Sequence, residues 1–375
     1  MLRRAAGEPA RAGGRTAWST CKTMPDSALM VVVRRWANRG KNTDIEHLRR
    51  FFPGATFVST EHAVKRPYRL LKAVAGWARQ DGYTSYSLGM ELATIRQALR
   101  LRPRLIHFWY ADHEYRHTWM AARLIGARIV GTLFFSIEEF ERRMPSKEHL
   151  RRLDLVLASG RRQMDYLQNF VDGHKIAYLP LGVDTSFFCP PADPARRWAE
   201  RPRLLQVGVN RRDFPTLRRV FLRLREKYPN LTLEMVGCRG AQDSFEGQPG
   251  VTFHPFLNDE QLLDVYHGAT LLILPLLEGG SSQALNEALA TGLPVVTNRM
   301  PNLEDYTSTE GVAMCPPGDA DAMFGACDAL LSSREQWERA SQSARRHMRQ
   351  FDWQMIRERL LALYEQHLGL RVVTP

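Results

Sequence analysis

The chain has 375 residues, is 44% hydrophobic and carries a net charge of +12. This length exceeds the usual size of a domain with a single hydrophobic core, so we expect two domains. No apolar run approaches the ~20 residues that span a bilayer. Residues 1–27 contain arginines but no apolar core, so we expect a disordered leader there and not a secretory signal. The five cysteines are scattered without a CxxC pair, which favours a reducing, cytoplasmic setting and argues against a zinc site.

The charge is unevenly distributed along the chain. Residues 1–180 contain 31 Lys and Arg against 16 Asp and Glu, whereas residues 181–375 contain 21 against 24. The basic half could contact a nucleic acid, an anionic membrane surface or an anionic substrate, or could simply be a solvated surface. Its densest local cluster comprises Arg142, Arg143, Lys147, Arg151, Arg152, Arg161 and Arg162. A peripheral contact with an anionic inner leaflet, reaching a lipid-linked acceptor, is one interpretation of this cluster.

The first half of the chain alternates short apolar strands with amphipathic helices. Thr43 and Glu46 form a capping-box pattern at the start of the first helix. Strands are predicted at 28–36, 104–110, 127–135 and 154–159, and a further helix at 119–126. Residues 28–182 are therefore expected to form one Rossmann-like domain. A segment rich in proline and mixed polarity follows, and we interpret residues 183–202 as a linker.

The second half restarts the same alternation. Strands are predicted at 203–209, 231–237, 251–256, 270–275 and 293–298, and helices at 214–228 and 259–269 and after residue 281. Two blocks of alternating strands and helices predict an α/β fold with two parallel-sheet domains. The second domain is expected to span residues 203–351, and a last helix at 352–368 is expected to return to the first domain.

The segment "LLEGGSSQALNEALATGLPVV" (276–296) is the most informative part of the chain. It follows an apolar strand, and ligands of open parallel sheets bind beyond the carboxyl ends of the strands. Gly279 and Gly280 allow the backbone to approach a ligand closely, while Ser281 and Ser282 can cap the next helix or donate hydroxyls to an anion. The amino end of that helix is a natural phosphate cradle, although no Walker lysine is present.

Glu287 lies inside this helix among small apolar side chains. A carboxylate in such surroundings is costly unless it finds hydrogen-bond donors. Its two oxygens can accept from neighbouring hydroxyls such as those of a ribose. A phosphate cradle followed by a diol acceptor predicts a nucleoside diphosphate ligand.

Taken together, these motifs resemble the retaining glycosyltransferases of family 4, the glycosyl transferases group 1, which have the GT-B fold. The signature stands here as Glu278-Gly-Gly-Ser-Ser followed by Glu287-Ala-Leu-Ala-Thr-Gly-Leu-Pro-Val-Val. The resemblance extends to "LPLGVDTSFFCP" (179–190), to residues 204–237 and to "FDWQMIRERLLALYEQHL" (351–368). It covers roughly residues 150–368 and is weak over 28–149.

The resemblance implies a role for each matching residue. Glu287 is expected to bind the ribose, and Gly280, Ser281 and Ser282 to bind the diphosphate. Glu278 is expected to contact the hydroxyls of the donor sugar and is our candidate catalytic residue in the second domain.

Further roles follow from the loops after two other strands. The resemblance implies a basic pair after the first strand of the second domain, for which Arg211 and Arg212 are the candidates to neutralise the leaving diphosphate. Phe256 and Leu257 are expected to line the base pocket.

Two features depart from the family pattern. Eight residues separate Glu278 from Glu287, one more than in the common Glu-x7-Glu spacing, so the loop is one residue longer. Where many members place a histidine at a strand end of the first domain, this chain has Phe134. His113 or Asp112 could face the cleft in its place, and both are candidate catalytic residues.

The expected activity is transfer of a hexosyl-like sugar from a UDP- or GDP-linked donor to a hydroxyl acceptor, with retention of configuration. Arginines and the amino end of a helix can stabilise the leaving diphosphate, so we expect no metal and no cofactor besides the nucleotide-sugar co-substrate. The alternatives are a GT-B sugar-nucleotide epimerase, a catalytically silent sugar-nucleotide binder and a basic nucleic-acid-binding protein. The last lacks any recognisable nucleic-acid-binding pattern, and we expect no nucleic-acid partner.

Overall fold

The computed structural model describes residues 21–35, 42, 44–65, 69, 72–74, 83–198, 201–238, 240–280, 282–307 and 309–374. The strands are β1 Lys22–Pro25, β2 Leu29–Val33, β3 Thr56–Ser59, β4 Leu105–Phe108, β5 Arg128–Leu133, β6 Leu155–Ala158, β7 Ile176–Tyr178, β8 Arg203–Val207, β9 Thr232–Val236, β10 Val251–His254, β11 Leu271–Leu274, β12 Val295–Asn298, β13 Val312–Cys315 and β14 Leu370–Val373. The helices are α1 Asp44–Phe51, α2 Ser85–Leu101, α3 Ala111–Glu114, α4 Trp119–Ile125, α5 Ile137–Arg143, α6 Arg161–Leu167, α7 Phe214–Lys227, α8 Gln242–Phe245, α9 Asp259–Gly268, α10 Gln283–Ala290, α11 Glu304–Thr307, α12 Ala320–Ser332, α13 Arg334–Met348 and α14 Trp353–Leu368.

The first domain is built on a parallel six-stranded sheet in the order β3-β2-β4-β5-β6-β7. Successive side chains of a strand point to opposite faces, so each buried strand contributes side chains to the cores on both sides of the sheet. Met30 and Val32 of β2 pack into the core beneath α2, α4, α5 and α6. Val31 and Val33 pack on the other face, against α1 and α14. Because both faces of the sheet are buried, the sequences of these strands are continuous apolar runs.

The second domain is built on a parallel six-stranded sheet in the order β10-β9-β8-β11-β12-β13. This is the doubly wound order in which the strand sequence reverses between β8 and β11. Helices α9, α10 and α13 contribute to the core on one face, and α7 and α12 to the core on the other. The predicted α/β class with two parallel-sheet domains is therefore confirmed.

The chain before β2 differs from the predicted leader. Lys22–Pro25 form β1, which pairs in parallel with β14. Met24 is fully buried, packing with the apolar residues of α14, so hydrophobic burial orders this segment. The prediction of disorder is therefore wrong for residues 22–27, while residues 1–20 lie outside the described part of the chain. Thr43 of the predicted capping box also lies outside it, and α1 is described from Asp44.

Two chain crossings lie side by side between the domains. After β7 the chain leaves the first domain through Gly182 and Val183, and before α14 it returns through Phe351 and Asp352. The Val183 amide donates to the Phe351 carbonyl at 2.9 Å, and a Cβ on Gly182 would lie 2.7 Å from the Trp353 ring. The two crossings therefore pack tightly together and position the domains across a cleft. Among the described residues, no helix is both long and apolar enough to cross a membrane.

Candidate functional site at the interdomain cleft

Two loops of the second domain meet where the strand order reverses. One follows β8 (208–213) and the other follows β11 (275–282). The Leu277 amide donates to the Arg211 carbonyl and the Asp213 amide to the Pro275 carbonyl, each at 2.9 Å. The two loops thus form one surface at the position where open α/β sheets bind their ligands.

The glycines of the second loop permit two close approaches. A Cβ on Gly279 would lie 2.3 Å from the Cβ of Met300, and one on Gly280 would lie 3.3 Å from the Phe134 carbonyl oxygen of the first domain. Gly280 therefore lies directly against the first domain. A side chain at Gly279 would clash with Met300, and one at Gly280 would need the Phe134 carbonyl to move slightly.

The helix after this loop begins with a serine cap. Ser282 has an extended backbone, and its hydroxyl accepts from the Leu285 amide at 3.4 Å. Ser282 thus caps α10, one of the two roles predicted for it. Ser281 lies outside the described residues. The amino end of α10 faces the cleft side of the sheet, where its dipole favours an anion.

Glu287 lies on the inner face of α10 and is only 8% exposed. One of its carboxylate oxygens accepts from the Tyr266 hydroxyl at 2.9 Å. Tyr266, on α9, is fully buried, and burial together with the Glu287 charge raises the pKa of its hydroxyl well above the usual range. The tyrosine stays protonated, and its hydroxyl donates to the carboxylate and orients it. This hydrogen bond offsets the cost of burying an acid among alanines.

Glu278 lies at the centre of a charge cluster that crosses the cleft. Arg142 of the first domain binds it with both terminal nitrogens, at 2.5 and 3.0 Å. Arg211 approaches Glu278 and Glu139 at 3.3 Å each, and Arg143 binds Glu139 at 3.1 Å. Hydrogen bonding from Arg142, with the charges of Arg211 and Arg143 adding to it, lowers the pKa of Glu278. Three arginines and two carboxylates therefore connect the domains beside Gly279 and Gly280.

The two arginines predicted to bind the diphosphate have different surroundings. Arg211 faces the cleft cluster and has a left-handed backbone with φ of 57°, a conformation that is strained for a residue other than glycine. Arg212 turns its guanidinium to the Val207 and Asn210 carbonyls, at 2.9 to 3.2 Å. Burial lowers the pKa of Arg212 to about 10. Arg211 is therefore the better placed of the two to meet an anion, because Arg212 would have to give up these bonds.

The two first-domain candidates for catalysis lie at different depths. Asp112 is fully buried, and its Oδ2 accepts from the Phe134 and Phe135 amides at 2.8 Å each. The Asp112 carboxylate therefore supports the backbone after β5, and its catalytic role stays a prediction. His113 is half-buried with its ring edge-on to Phe135 at 4.8 Å.

The predicted base pocket lies after β10. Phe256 is 56% exposed, and Leu257 is half-buried against the second-domain core. Asn258 then caps α9, and Asp259 accepts from Asn42 of the first domain at 2.9 and 3.2 Å. Phe256 is thus an exposed aromatic ring beside a second contact between the domains.

The sequence analysis predicted no role in the cleft for α5, although the start of this helix has a recognisable capping pattern. Ser136 and Glu139 have the spacing of a capping box, and each side chain accepts from the other residue's amide, at 3.1 and 3.3 Å. This cap directs α5 into the cleft, where Glu139 and Arg142 meet the second domain.

The predicted basic cluster is largely neutralised by acidic partners. Arg142 and Arg143 belong to the cleft cluster. Lys147 lies 3.7 Å from Glu141, while Arg161 and Arg162 pair across the domains at 3.1 Å with Asp305 and Glu304. Five of the seven cluster residues therefore lie beside acidic side chains, whereas Arg151 and Arg152 have no acidic partner among the described ion pairs. Sequence proximity does not reveal such partners, because those of Arg161 and Arg162 come from α11 of the other domain. The membrane contact of this cluster stays a prediction.

Comparisons with known proteins agree with this architecture. Residues 201–333 match the family model described as Glycosyl transferases group 1. The chain is 26% identical over 235 residues to MMP alpha-(1->4)-mannosyltransferase of Mycolicibacterium hassiacum, covering 58% of this chain and 54% of that protein. It is 22% identical over 254 residues to D-inositol 3-phosphate glycosyltransferase of Corynebacterium urealyticum, covering 60% of each. The chain thus spans little more than half the length of these curated relatives.

Solved structures match over nearly the whole fold. Sucrose-phosphate synthase from Thermosynechococcus elongatus superposes with a TM-score of 0.71 at 16% identity, covering 91% of this chain and 99% of that one. Anabaena HepE, solved in complex with UDP-glucose, superposes with a TM-score of 0.68 at 12% identity, covering 90% and 99%.

Two parallel-sheet α/β domains on either side of a cleft, together with the match to solved structures, define a GT-B fold. The family match over the second domain goes one step further. Residues 201–333 resemble the Glycosyl transferases group 1, and the similar curated proteins are glycosyltransferases by name.

Proposed function

We propose that this protein is a retaining glycosyltransferase that moves a sugar from a nucleoside-diphosphate sugar to a hydroxyl acceptor. The observation that carries the proposal is the amino end of α10, with its Gly279-Gly280 approach, beside Arg211 at the switch point of the second sheet. A dianionic leaving group fits this combination of helix dipole, backbone amides and a cleft-facing arginine.

The donor would lie along the carboxyl edge of the second sheet. Its diphosphate would rest on the amino end of α10, its ribose hydroxyls on Glu287, and its base near Phe256. Tyr266 supports the ribose contact because it holds the Glu287 carboxylate in one orientation. HepE is solved with UDP and with UDP-glucose, which supports a nucleotide-sugar donor of the UDP or GDP class here.

In the proposed reaction the bond between the anomeric carbon and the donor phosphate oxygen breaks. The electron pair passes to the leaving phosphate, and positive charge develops on the sugar. The acceptor hydroxyl attacks from the face that the phosphate leaves, and its proton passes to a phosphate oxygen, so configuration is retained. Donors preorganised around the phosphate stabilise this transition state, and losing one such group typically costs ~3 kcal/mol. Arg211 and the α10 amides can do this without a metal.

Glu278 would contact the donor sugar once the cleft is occupied. Its carboxylate is bound by Arg142 and Arg211, so sugar hydroxyls would have to share or replace these partners. The acceptor would enter from the first domain, whose candidates are His113 and the loop after β5. The relatives act, by their names, as a mannosyltransferase and an inositol 3-phosphate glycosyltransferase, which supports a hydroxyl acceptor without choosing one. All five cysteines are unpaired, which supports a cytoplasmic protein.

A thermal-shift screen across nucleoside diphosphates, followed by transfer from a radiolabelled donor in EDTA, tests the proposal. A ligand at one hundred times its Kd adds about 2.7 kcal/mol to the stability of the folded state. We expect stabilisation by UDP or GDP and transfer that persists in EDTA. Isomerisation of the donor would instead identify an epimerase, and binding without turnover a silent binder. A folded protein that no nucleotide stabilises would overturn the proposal.

A further inference from the structure

A basic groove lies on the side of the first domain away from the cleft. It is formed by the β1–β14 ribbon, the end of α4 and the amino ends of β4 to β6, and has a volume of about 800 Å³. The cleft lies at the carboxyl ends of the same parallel strands, so groove and cleft occupy opposite edges of the sheet. The cationic residues lining the groove are Lys22, Arg104, Arg123, Arg128 and Arg152.

Most of these charges are not neutralised by acidic side chains. The acidic residue lining the groove is Asp154, and Arg128 binds it at 2.7 Å. Arg104 donates to the Thr23 carbonyl at 3.0 Å, and Arg152 covers the Trp119 ring at 5.0 Å, so the partners in these contacts are uncharged. Among the ion pairs of the described ranges, none includes the charged groups of Lys22, Arg104, Arg123 or Arg152.

The adjoining helices carry apolar side chains into solvent beside further arginines. On α4, Met120 and Leu124 are one turn apart and are 52% and 78% exposed, with Arg123 between them. On the neighbouring α2, Leu92 and Leu99 are exposed on one side together with Arg96. Arg100 extends this arginine row along α2. Exposed aliphatic side chains surrounded by unpaired arginines form an amphipathic surface rather than an ordinary solvated one.

We propose that this surface, made by the outer faces of α2 and α4 and the adjoining groove, docks the protein onto an anionic phospholipid bilayer. The arginines would meet the lipid phosphates, and Met120, Leu124 and Leu99 would insert at the level of the acyl-chain boundary. A nucleic acid fits less well because it offers nothing to exposed aliphatic side chains, and the Trp119 ring that could stack on a base is covered by Arg152.

The docked orientation leaves the donor site accessible. Because the groove is at the amino edge of the first sheet, a bilayer there does not block the switch-point loops of the second domain, and a water-soluble nucleotide sugar can still enter. Docking does not depend on the proposed transferase activity, so vesicle binding and nucleotide binding can fail independently of each other.

Co-sedimentation of the full chain with phosphatidylcholine vesicles, with and without phosphatidylglycerol, tests this surface. We expect binding only to the anionic vesicles, weakening as salt rises. The triple variant Arg96→Gln, Arg100→Gln, Arg123→Gln should lower the partition coefficient by about tenfold or more. The double variant Met120→Gln, Leu124→Gln should lose the part of the binding that survives high salt, because that part is hydrophobic.

A matched control removes the same net charge elsewhere. Arg334→Gln, Arg339→Gln, Arg346→Gln changes three exposed arginines of α13 in the second domain and should partition like the unmodified protein. The circular dichroism spectrum and melting temperature of every variant, measured without ligand, check that its fold is intact. Equal partitioning of the unmodified protein onto neutral and anionic vesicles, no partitioning onto either, or equal loss in the α13 control would overturn the proposal. Binding to duplex DNA without binding to vesicles would also overturn it.

Discussion

Single buried carboxylates of this protein are each held by donors from distant parts of the chain. Glu91 accepts from the Thr118 amide at 2.7 Å and its hydroxyl at 2.9 Å, Asp112 from two backbone amides, and Glu287 from Tyr266. A buried carboxylate without donors would be too costly to keep. The donors also tell us which carboxylates are structural, because Asp112 is directed at backbone while Glu287 lies beside the ligand loop.

Replacing Glu287 tests the ribose contact. Glu287→Ala should weaken nucleoside diphosphate binding by about 2–3 kcal/mol, as for a lost hydrogen bond to a charged group. The fold should survive, because alanine is a better helix former and the Tyr266 hydroxyl also lies 3.4 Å from the Ala284 carbonyl. Titration calorimetry on the folded variant measures this, with the exposed Glu335→Ala as control. An unchanged affinity would remove Glu287 from the site.

Replacing Asp112 tests its structural role. Burial raises the pKa of Asp112 to about 7, although the two amide donors oppose this. The folded state therefore binds its proton more tightly than the unfolded state, so this residue's contribution to stability is greatest below about pH 4 and declines as pH rises towards 7.

Asp112→Asn should remove the loss of folding stability between pH 4 and 7 that Asp112 causes, and its amide oxygen can still accept from the backbone. Denaturant unfolding from pH 4 to 7 measures it, compared with the unmodified protein. Retention of the proposed transferase activity is expected, because the Asp112 side chain is fully buried and accepts from the Phe134 and Phe135 amides. A variant that folds well but loses all turnover would restore Asp112 to the catalytic candidates.

At the scale of elements, the loop from Leu276 to Ser282 is shaped by what lies around it. The Leu276 amide donates to Asn298 at 2.5 Å, which ties the loop to the end of β12, and Met300 fills the space beside Gly279. The loop is thereby held against both α10 and the first domain.

Alanine at Gly279 should disturb this loop. The new Cβ would lie 2.3 Å from the Met300 Cβ, so loop or neighbour must shift, at a cost of about 1–3 kcal/mol. Nucleotide affinity should fall as well, because the shifted backbone lies next to the diphosphate. Gly325→Ala in α12 is the matched control, since no atom lies within 4 Å of its Cβ. It should stabilise the protein by about 0.5–1 kcal/mol, and equal effects of the two changes would contradict the steric argument.

At the scale of the whole molecule, ion pairs across the cleft hold the two domains together. Arg142 with Glu278, Arg161 with Asp305 and Arg162 with Glu304 each join α5 or α6 to the second domain. All are partly exposed, so each contributes about 0.2–1 kcal/mol and is weakened by salt. Their sum is comparable to the energies that separate open and closed forms of a two-domain protein.

The triple variant Arg142→Gln, Arg161→Gln, Arg162→Gln should favour an open cleft. Small-angle scattering without ligand should give a larger radius of gyration than for the unmodified protein at low salt, and the difference should shrink at high salt. The α13 variant Arg334→Gln, Arg339→Gln loses charge without touching the cleft and should scatter like the unmodified protein. Identical scattering of all three would mean that these pairs do not set the domain positions.

The sequence alone determined the order and type of most elements and the position of the Gly279-Gly280 loop directly after β11. Helix α7 was predicted at 214–228 and runs from Phe214 to Lys227, and β11 was predicted at 270–275 and runs from Leu271 to Leu274. These are local properties, because periodicity, caps and glycines act within a few residues of themselves. The Gly279-Gly280 loop and Glu287 were found for the same reason.

Only the tertiary structure decided which charged side chains form ion pairs and which carboxylates are buried. Arg142 meets Glu278 across 136 residues of sequence, Met24 is buried beside the last helix, and Asp112 is covered by the backbone after β5. A charge is neutralised by whatever lies within a few ångströms of it, and burial depends on what packs over it, so neither can be read from neighbours in the chain. Most of the cluster that looked most basic in sequence is therefore paired. Arginines without an acidic partner among the described ion pairs, including Arg152 of that cluster, lie on α2, α4 and the amino edge of the first sheet.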